Sequence, residues 1–209
     1  QGTDMITIQG VSSLKPIECH IFPDRIETGT YMIAAAITQG DVLIENCIPQ
    51  HVEPITLKLQ EAQVDVETDN SSMRIRGKRP LLAVNARTHP YPGFPTDIQA
   101  QFMALMTLAH GQSIIMETVF ENRFMHVAEL KRMGADITLD GHTAVINGVQ
   151  SLSGAPLMAT DLRASASLVL AALATKGQSI ISRVYHIDRG YVSMEKKLSS
   201  LGARIQRVK

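Results

Sequence analysis

Apolar residues recur along this chain with two alternating periods. In residues 97–111, DIQAQFMALMTLAHG, the side chains Ile98, Phe102, Leu105, Met106 and Ala109 stand at i, i+4, i+7, i+8 and i+11. In residues 161–177, DLRASASLVLAALATKG, Leu162, Ala166, Val169, Leu170 and Leu173 repeat that spacing. Such spacing lays one apolar stripe along a helix. Residues 24–40, DRIETGTYMIAAAITQG, align with 161–177 without a gap. A short apolar run of strand type follows each stretch: DVLIENC, QSIIMETVF and QSIISRVYH. A second helical stretch comes next, EPITLKLQEAQ, HVAELKRMGAD or YVSMEKKLSSLGAR, and leads into a β-branched run, VDVET, ADITLD or ARIQRV. Local chemistry marks the joints. Side-chain oxygens at Thr96-Asp97 and Thr160-Asp161 suit the free N–H groups of a helix start. Gly111 and Gly177 suit left-handed helix ends, and Asp140-Gly141 reads as a tight hairpin turn.

The repeating unit is therefore strand, helix, strand, helix, hairpin. It predicts an α/β (α+β) fold of three stacked units, at about 21–85, 86–150 and 151–209. The ends fall out of step with this unit. MITIQGVSSL, at 5–14, resembles TAVINGVQSL, at 143–152, which closes the second unit; yet at 5–14 it stands first. The third unit stops at RIQRVK without a closing strand, and Gln1 is not an initiator methionine. The expectation is a chain cut from something longer, with an upstream portion missing.

Composition narrows function more than fold. Lysine plus arginine and aspartate plus glutamate both number 20, a net charge of zero. A balanced chain has no electrostatic footprint for nucleic acid or an anionic membrane. Four tyrosines, five phenylalanines and no tryptophan argue against stacking of nucleobases. Cys19 and Cys47 lack metal-ligand spacing and read as reduced thiols of a cytoplasmic protein. The apolar runs are too short to span a bilayer, and no basic-then-apolar leader opens the chain. No HExxH, GxSxG or GxxxxGKS string occurs, so no metal or cofactor is expected.

Candidate chemistry gathers at the unit junctions. PYPGFPTD, at 90–97, is a stiff loop that aims one carboxylate, Asp97, either as the cap of its own helix or as a base. FENRFMH places Arg123, ATDLRAS places Asp161 and Arg163, and HIDRGY places Arg189. An arginine fork matches carboxylate or phosphate. These arginines read either as an anion pocket, helped by nearby helix N-termini, or as salt bridges with Asp161, Asp188 and Glu121. His126 and His186 lie close by in sequence and read as structural.

Taken together, PDRIETGT (23–30), PGFPTDIQAQF (92–102), ENRFMHVAELKRMGA (121–135), LSGAPLMATDLRASASLVLA (152–171) and YHIDRGY (185–191) resemble the UDP-N-acetylglucosamine 1-carboxyvinyltransferase family, in the family's order. The resemblance implies an enolpyruvyl-transferase lobe, three βαβαββ units packed as an inside-out α/β barrel. It implies that residues 1–20 are a strand segment of the last unit of the missing lobe, and that 21–209 form the carboxy-terminal lobe. It implies transfer of enolpyruvyl from phosphoenolpyruvate to the 3′-hydroxyl of UDP-N-acetylglucosamine, with the missing amino-terminal lobe as partner. By the same resemblance, Asp97 is the base at that hydroxyl and Val119 lines the sugar-nucleotide site through its backbone. Arg189 lies near the phosphoenolpyruvate phosphate, and Arg123, Asp161 and Arg163 surround the reacting groups. Neither Cys19 nor Cys47 matches the family's loop cysteine, which lies in the other lobe, so this chain alone is expected to be inactive. The alternatives are a 3-phosphoshikimate enolpyruvyl transferase half and a non-catalytic binding domain.

Overall fold

The computed structural model describes residues 5–208. The first unit supplies α1 (Arg25–Thr38), β1 (Asp41–Glu45), α2 (Glu53–Glu61), β2 (Asp65–Thr68) and β3 (Ser72–Arg76). The second supplies β4 (Ala86–Arg87), α3 (Gln99–Met106), β5 (Gln112–Met116), α4 (His126–Arg132), β6 (Asp136–Asp140) and β7 (Thr143–Asn147). The third supplies β8 (Pro156–Met158), α5 (Leu162–Leu173), β9 (Ile180–Ser182) and α6 (Met194–Ser200). Short 3-10 turns at Thr96–Ile98 and Val184–Arg189 precede α3 and α6.

Helices α1, α3 and α5 pack on one another at the centre. One apolar stripe each was expected, but the burial goes further. Every residue of α3 is buried, and so are residues 164–171 of α5. A helix enclosed on all sides belongs in a core rather than on a surface. Fully buried Phe102, Met103 and Leu105 each contribute roughly 1.5–3 kcal/mol by leaving water. The sheets lie outside this bundle and alternate their faces. In β5, Ser113 and Ile115 point inward, and in β7 Ala144 and Ile146 do the same.

Strand order is β1-β3-β2 in the first sheet, β4-β5-β7-β6 in the second and β8-β9 in the third. Parallel pairing of β4 with β5 and of β8 with β9 carries a helix across each connection. The hairpin expected at Asp140-Gly141 is present: Asp140 pairs with Thr143, and Gly141 takes φ +54°. Two backbones meet where β7 ends. A Cβ on Gly148 would sit 1.6 Å from the Ala109 carbonyl oxygen, so glycine is required there.

The central helices with sheets outside them match the expected inside-out α/β arrangement, although the sheets are separate and no closed barrel forms among the described residues. Other expectations need correction. ARIQRV, at 203–208, forms no strand. Its counterparts β2 and β6 each pair with the next strand of their hairpin, a partner that 203–208 does not have among the described residues. Residues 5–24 also contain no strand, and Ile6 and Ile8 are exposed. Gly111 and Gly177 are left-handed, at φ +105° and +96°, but α3 and α5 end earlier, at Met106 and Leu173. The left-handed cap of α1 is Gln39, at φ 58°.

Candidate active site around Asp97

Asp161 caps its helix as expected: its Oδ1 accepts from the N–H groups of Arg163 and Ala164 at 2.8 and 2.9 Å. Asp24 does the same for α1. Asp97 does not. It lies within the Thr96–Ile98 turn, with no side-chain capping bond at that turn or at α3. Its carboxylate instead accepts from two arginines, Arg123 Nη2 at 2.6 Å on one oxygen and Arg163 Nη2 at 3.1 Å on the other. The cap reading of Asp97 is thereby overturned, and so is the pairing of Arg123 and Arg163 with Asp161, Asp188 or Glu121. Asp188 pairs with Arg207 at the surface.

The three charged groups come from three places: the loop before α3, the loop between β5 and α4, and the first turn of α5. Both arginine side chains are largely covered, 14% and 16% exposed, while Asp97 is 35% exposed. Burial alone would raise the Asp97 pKa. The charge of Arg163 and the hydrogen bonds from Arg163 and Arg123 outweigh burial, so the carboxyl lies below its usual range. The cluster is an ionised carboxylate with one positive charge in excess, half-covered and open to one side. That composition suits an anion beside a group whose proton Asp97 can receive. The α5 N-terminus gives less than expected, because Asp161 already occupies its first N–H groups.

Two residues of this site escaped the sequence reading. Glu117 is 2% exposed and accepts four hydrogen bonds: Thr88 Oγ1 at 2.6 Å, Thr96 Oγ1 at 2.9 Å, and the N–H groups of Val119 and Phe120 at 2.9 and 3.1 Å. It thus ties the Asp97 turn to the loop after β5. On that loop the Phe120 ring lies 4.8 Å under the Arg123 guanidinium. Tyr191, 1% exposed, sets its hydroxyl 2.8 Å from Thr30 Oγ1 and 3.4 Å from Gln101 Nε2. A carboxylate at a strand end was the available signal for Glu117; Tyr191 had none, because its partners are distant in sequence.

The other expected residues are less closely joined. Val119 is exposed, with its backbone N–H held by Glu117. Arg189 is exposed at the end of the 184–189 turn, and its side chain makes no hydrogen bond or ion pair among the described residues. It is two positions from Tyr191. His126 is fully buried, and burial pushes its pKa down to about 4. Its Nε2 meets the Met103 sulfur at 3.2 Å, a structural setting. Both thiols are unpaired, Cys19 exposed and Cys47 buried. No cluster of three or more potential metal ligands occurs among the described residues, and no helix there is long and apolar enough to cross a membrane.

Residues 1–198 match the family model for EPSP synthase (3-phosphoshikimate 1-carboxyvinyltransferase). Over 208 residues the chain is 58% identical to the UDP-N-acetylglucosamine 1-carboxyvinyltransferase of Geobacter metallireducens, covering 100% of this chain and 50% of that protein. Its fold is similar to the enolpyruvyl transferase NikO from Streptomyces tendae, with a TM-score of 0.81 and 28% identity over 89% of this chain and 44% of that one. The EPSP synthase from Acinetobacter baumannii shares the fold with a TM-score of 0.74 and 20% identity over 88% of this chain and 46% of that one. The chain spans about half the length of the curated relatives it matches.

Proposed function

The chain belongs to the EPSP synthase family, and on that premise we propose that it is the carboxy-terminal part of an enolpyruvyl transferase acting on UDP-N-acetylglucosamine and phosphoenolpyruvate. In this reading residues 21–209 are one lobe, and 1–20 belong to the last unit of an amino-terminal lobe that closes over it. The reaction commits sugar nucleotide to cell-wall peptidoglycan. A cytoplasmic location accords with two unpaired thiols.

The observation that carries the reading is Asp97 held between Arg123 and Arg163. While both arginines rest on it, Asp97 is a weak base. An anionic substrate that draws them away removes the charge that depresses its pKa, so its basicity rises as the substrate arrives. Asp97 then accepts the proton of the sugar 3′-hydroxyl as that oxygen adds to C2 of phosphoenolpyruvate and C3 takes up a proton from a donor on the amino-terminal lobe. The C2–O bond to phosphate then breaks as C3 gives up a proton, which restores the double bond. Arg123 and Arg163, with Arg189 at the phosphate, oppose the charge that builds toward the departing phosphate. Asp161 holds the α5 start that carries Arg163, and Val119 offers backbone groups to the sugar nucleotide.

The test is Asp97→Asn in the full-length protein, with phosphate release measured for UDP-N-acetylglucosamine and for shikimate 3-phosphate as acceptors. Loss of several orders of magnitude in turnover with the sugar nucleotide is expected, and no turnover by the 209-residue chain alone. Retained turnover in the variant, or preference for the shikimate acceptor, refutes the reading.

A further inference from the structure

Three groups grip the Arg123 guanidinium. Nη2 donates to Asp97 Oδ1 at 2.6 Å, Nη1 donates to Thr96 Oγ1 at 3.5 Å, and the Phe120 ring lies 4.8 Å from Cζ. Two of the three are fastened to Glu117. Its Oε2 accepts from Thr96 Oγ1 at 2.9 Å, and its Oε1 accepts from the Phe120 N–H at 3.1 Å. The direction of each proton follows from geometry. A guanidinium only donates, so Thr96 accepts from Arg123 and its own proton goes to Glu117. Thr88 Oγ1 accepts from the Thr118 N–H at 2.9 Å, which leaves its proton for Glu117 Oε1 at 2.6 Å, beside the Val119 N–H at 2.9 Å. Three donors therefore hold Oε1, and Oε2 serves Thr96. The Thr96 hydroxyl stands between a carboxylate and a guanidinium with its dipole aligned to both, so each bond strengthens the other.

We propose that Thr96 is a positioning residue: its hydroxyl, oriented by Glu117, anchors Arg123, so that the guanidinium swings off Asp97 toward an incoming anion and still stays at the site. The inference rests on the proposed role of Asp97 and Arg123. Exposure separates the two ends of the grip. The Asp97 side chain is 35% exposed, whereas Glu117 is 2% exposed. An anion thus reaches the Asp97 end and competes for Nη2, while Glu117 keeps the Thr96 oxygen committed to Nη1.

The experiment is Thr96→Val in the 209-residue chain, which keeps the branched shape and removes the hydroxyl. Side-chain 15N NMR reads the rate at which the Arg123 guanidinium rotates about its Nε–Cζ bond, with Arg207, paired to Asp188 at the surface, as the internal control. Once Nη1 is released, the Arg123 rate rises about tenfold, the effect of one lost hydrogen bond to a charged group, while the Arg207 rate stays in place. Thr96→Ser retains the hydroxyl and the parental rate. Asp97 is present throughout, so the rise reports Thr96. Glu117→Gln gives the same rise with Thr96 intact. The three donors at Oε1 keep the amide oxygen there, and the NH2 group then faces Thr96, donates to its oxygen and displaces Arg123 from it. If Thr96→Val proves too unstable to measure, Glu117→Gln decides by itself. In the full-length protein both variants lower kcat about tenfold, and Thr96→Ser recovers it. A folded variant, Thr96→Val or Glu117→Gln, with the parental rotation rate or the parental kcat overturns the positioning role and leaves the proposed function standing. Retained turnover in Asp97→Asn does the reverse, since the rotation rate does not depend on turnover.

Discussion

Replacing Glu117 by alanine removes the acceptor of four hydrogen bonds at once. Two of the stranded donors are the hydroxyls of Thr88 and Thr96, and two are the backbone N–H groups of Val119 and Phe120. A bond to a charged acceptor is worth ~1.5–3 kcal/mol, but the four do not simply add. Val119 and Phe120 are exposed, so water reaches part of the vacated space. Loss of the charged centre of a buried network costs about 3–5 kcal/mol. In a chain of this size each kcal/mol moves the melting temperature by ~2–4 °C. A drop of about 6–20 °C is expected, read by circular dichroism at neutral pH and matched by a lower urea midpoint with unchanged slope. Glu117→Gln keeps one acceptor oxygen and so falls between the two, about 1–3 kcal/mol below the parent. The loss also loosens Phe120, whose ring supports Arg123. The damage therefore reaches the Asp97 cluster without touching it. If Glu117→Ala unfolds within about 1 kcal/mol of the parent, the carboxylate is not the tie described above.

Two further predictions concern the core. His126 is held neutral by burial with its pKa lowered from 6.5 to about 4, so the unfolded chain takes up the proton first. Its contribution is full above pH 6.5 and falls as pH drops toward 4, by roughly 3 kcal/mol in total. His126→Leu should flatten the stability profile over that interval, and an equally steep profile in urea melts at stepped pH contradicts the assignment. Gly148→Ala drives a Cβ into the Ala109 carbonyl, backbone against backbone, and should lower stability by about 3 kcal/mol or more; a parental urea midpoint excludes that contact.

Much of the architecture was legible in the chain. The alternation of helical and strand periods located all six helices and six of the nine described strands, missing β3, β4 and β8, because periodicity reports which side of an element meets the core. The Asp161 cap and the Asp140-Gly141 turn were legible too, since each depends on backbone bonds within a few residues. Long-range electrostatics was not. Asp97 and Asp161 open equivalent segments with the same Thr-Asp pair, yet one caps its helix and the other holds two arginines. What separates them is the arrival of Arg123 and Arg163 from elements distant in sequence.

By itself, then, the sequence determined the repeat, the order of elements, the apolar faces and the residue types at the junctions, all of which are set by local propensity and burial. Tertiary structure alone decided that α3 is enclosed on every side, that Asp97 pairs rather than caps, and that Glu117 ties the Asp97 turn to the loop after β5. Those outcomes require side chains from different units to meet, and a charge or hydroxyl acquires its partners only after the three central helices have packed.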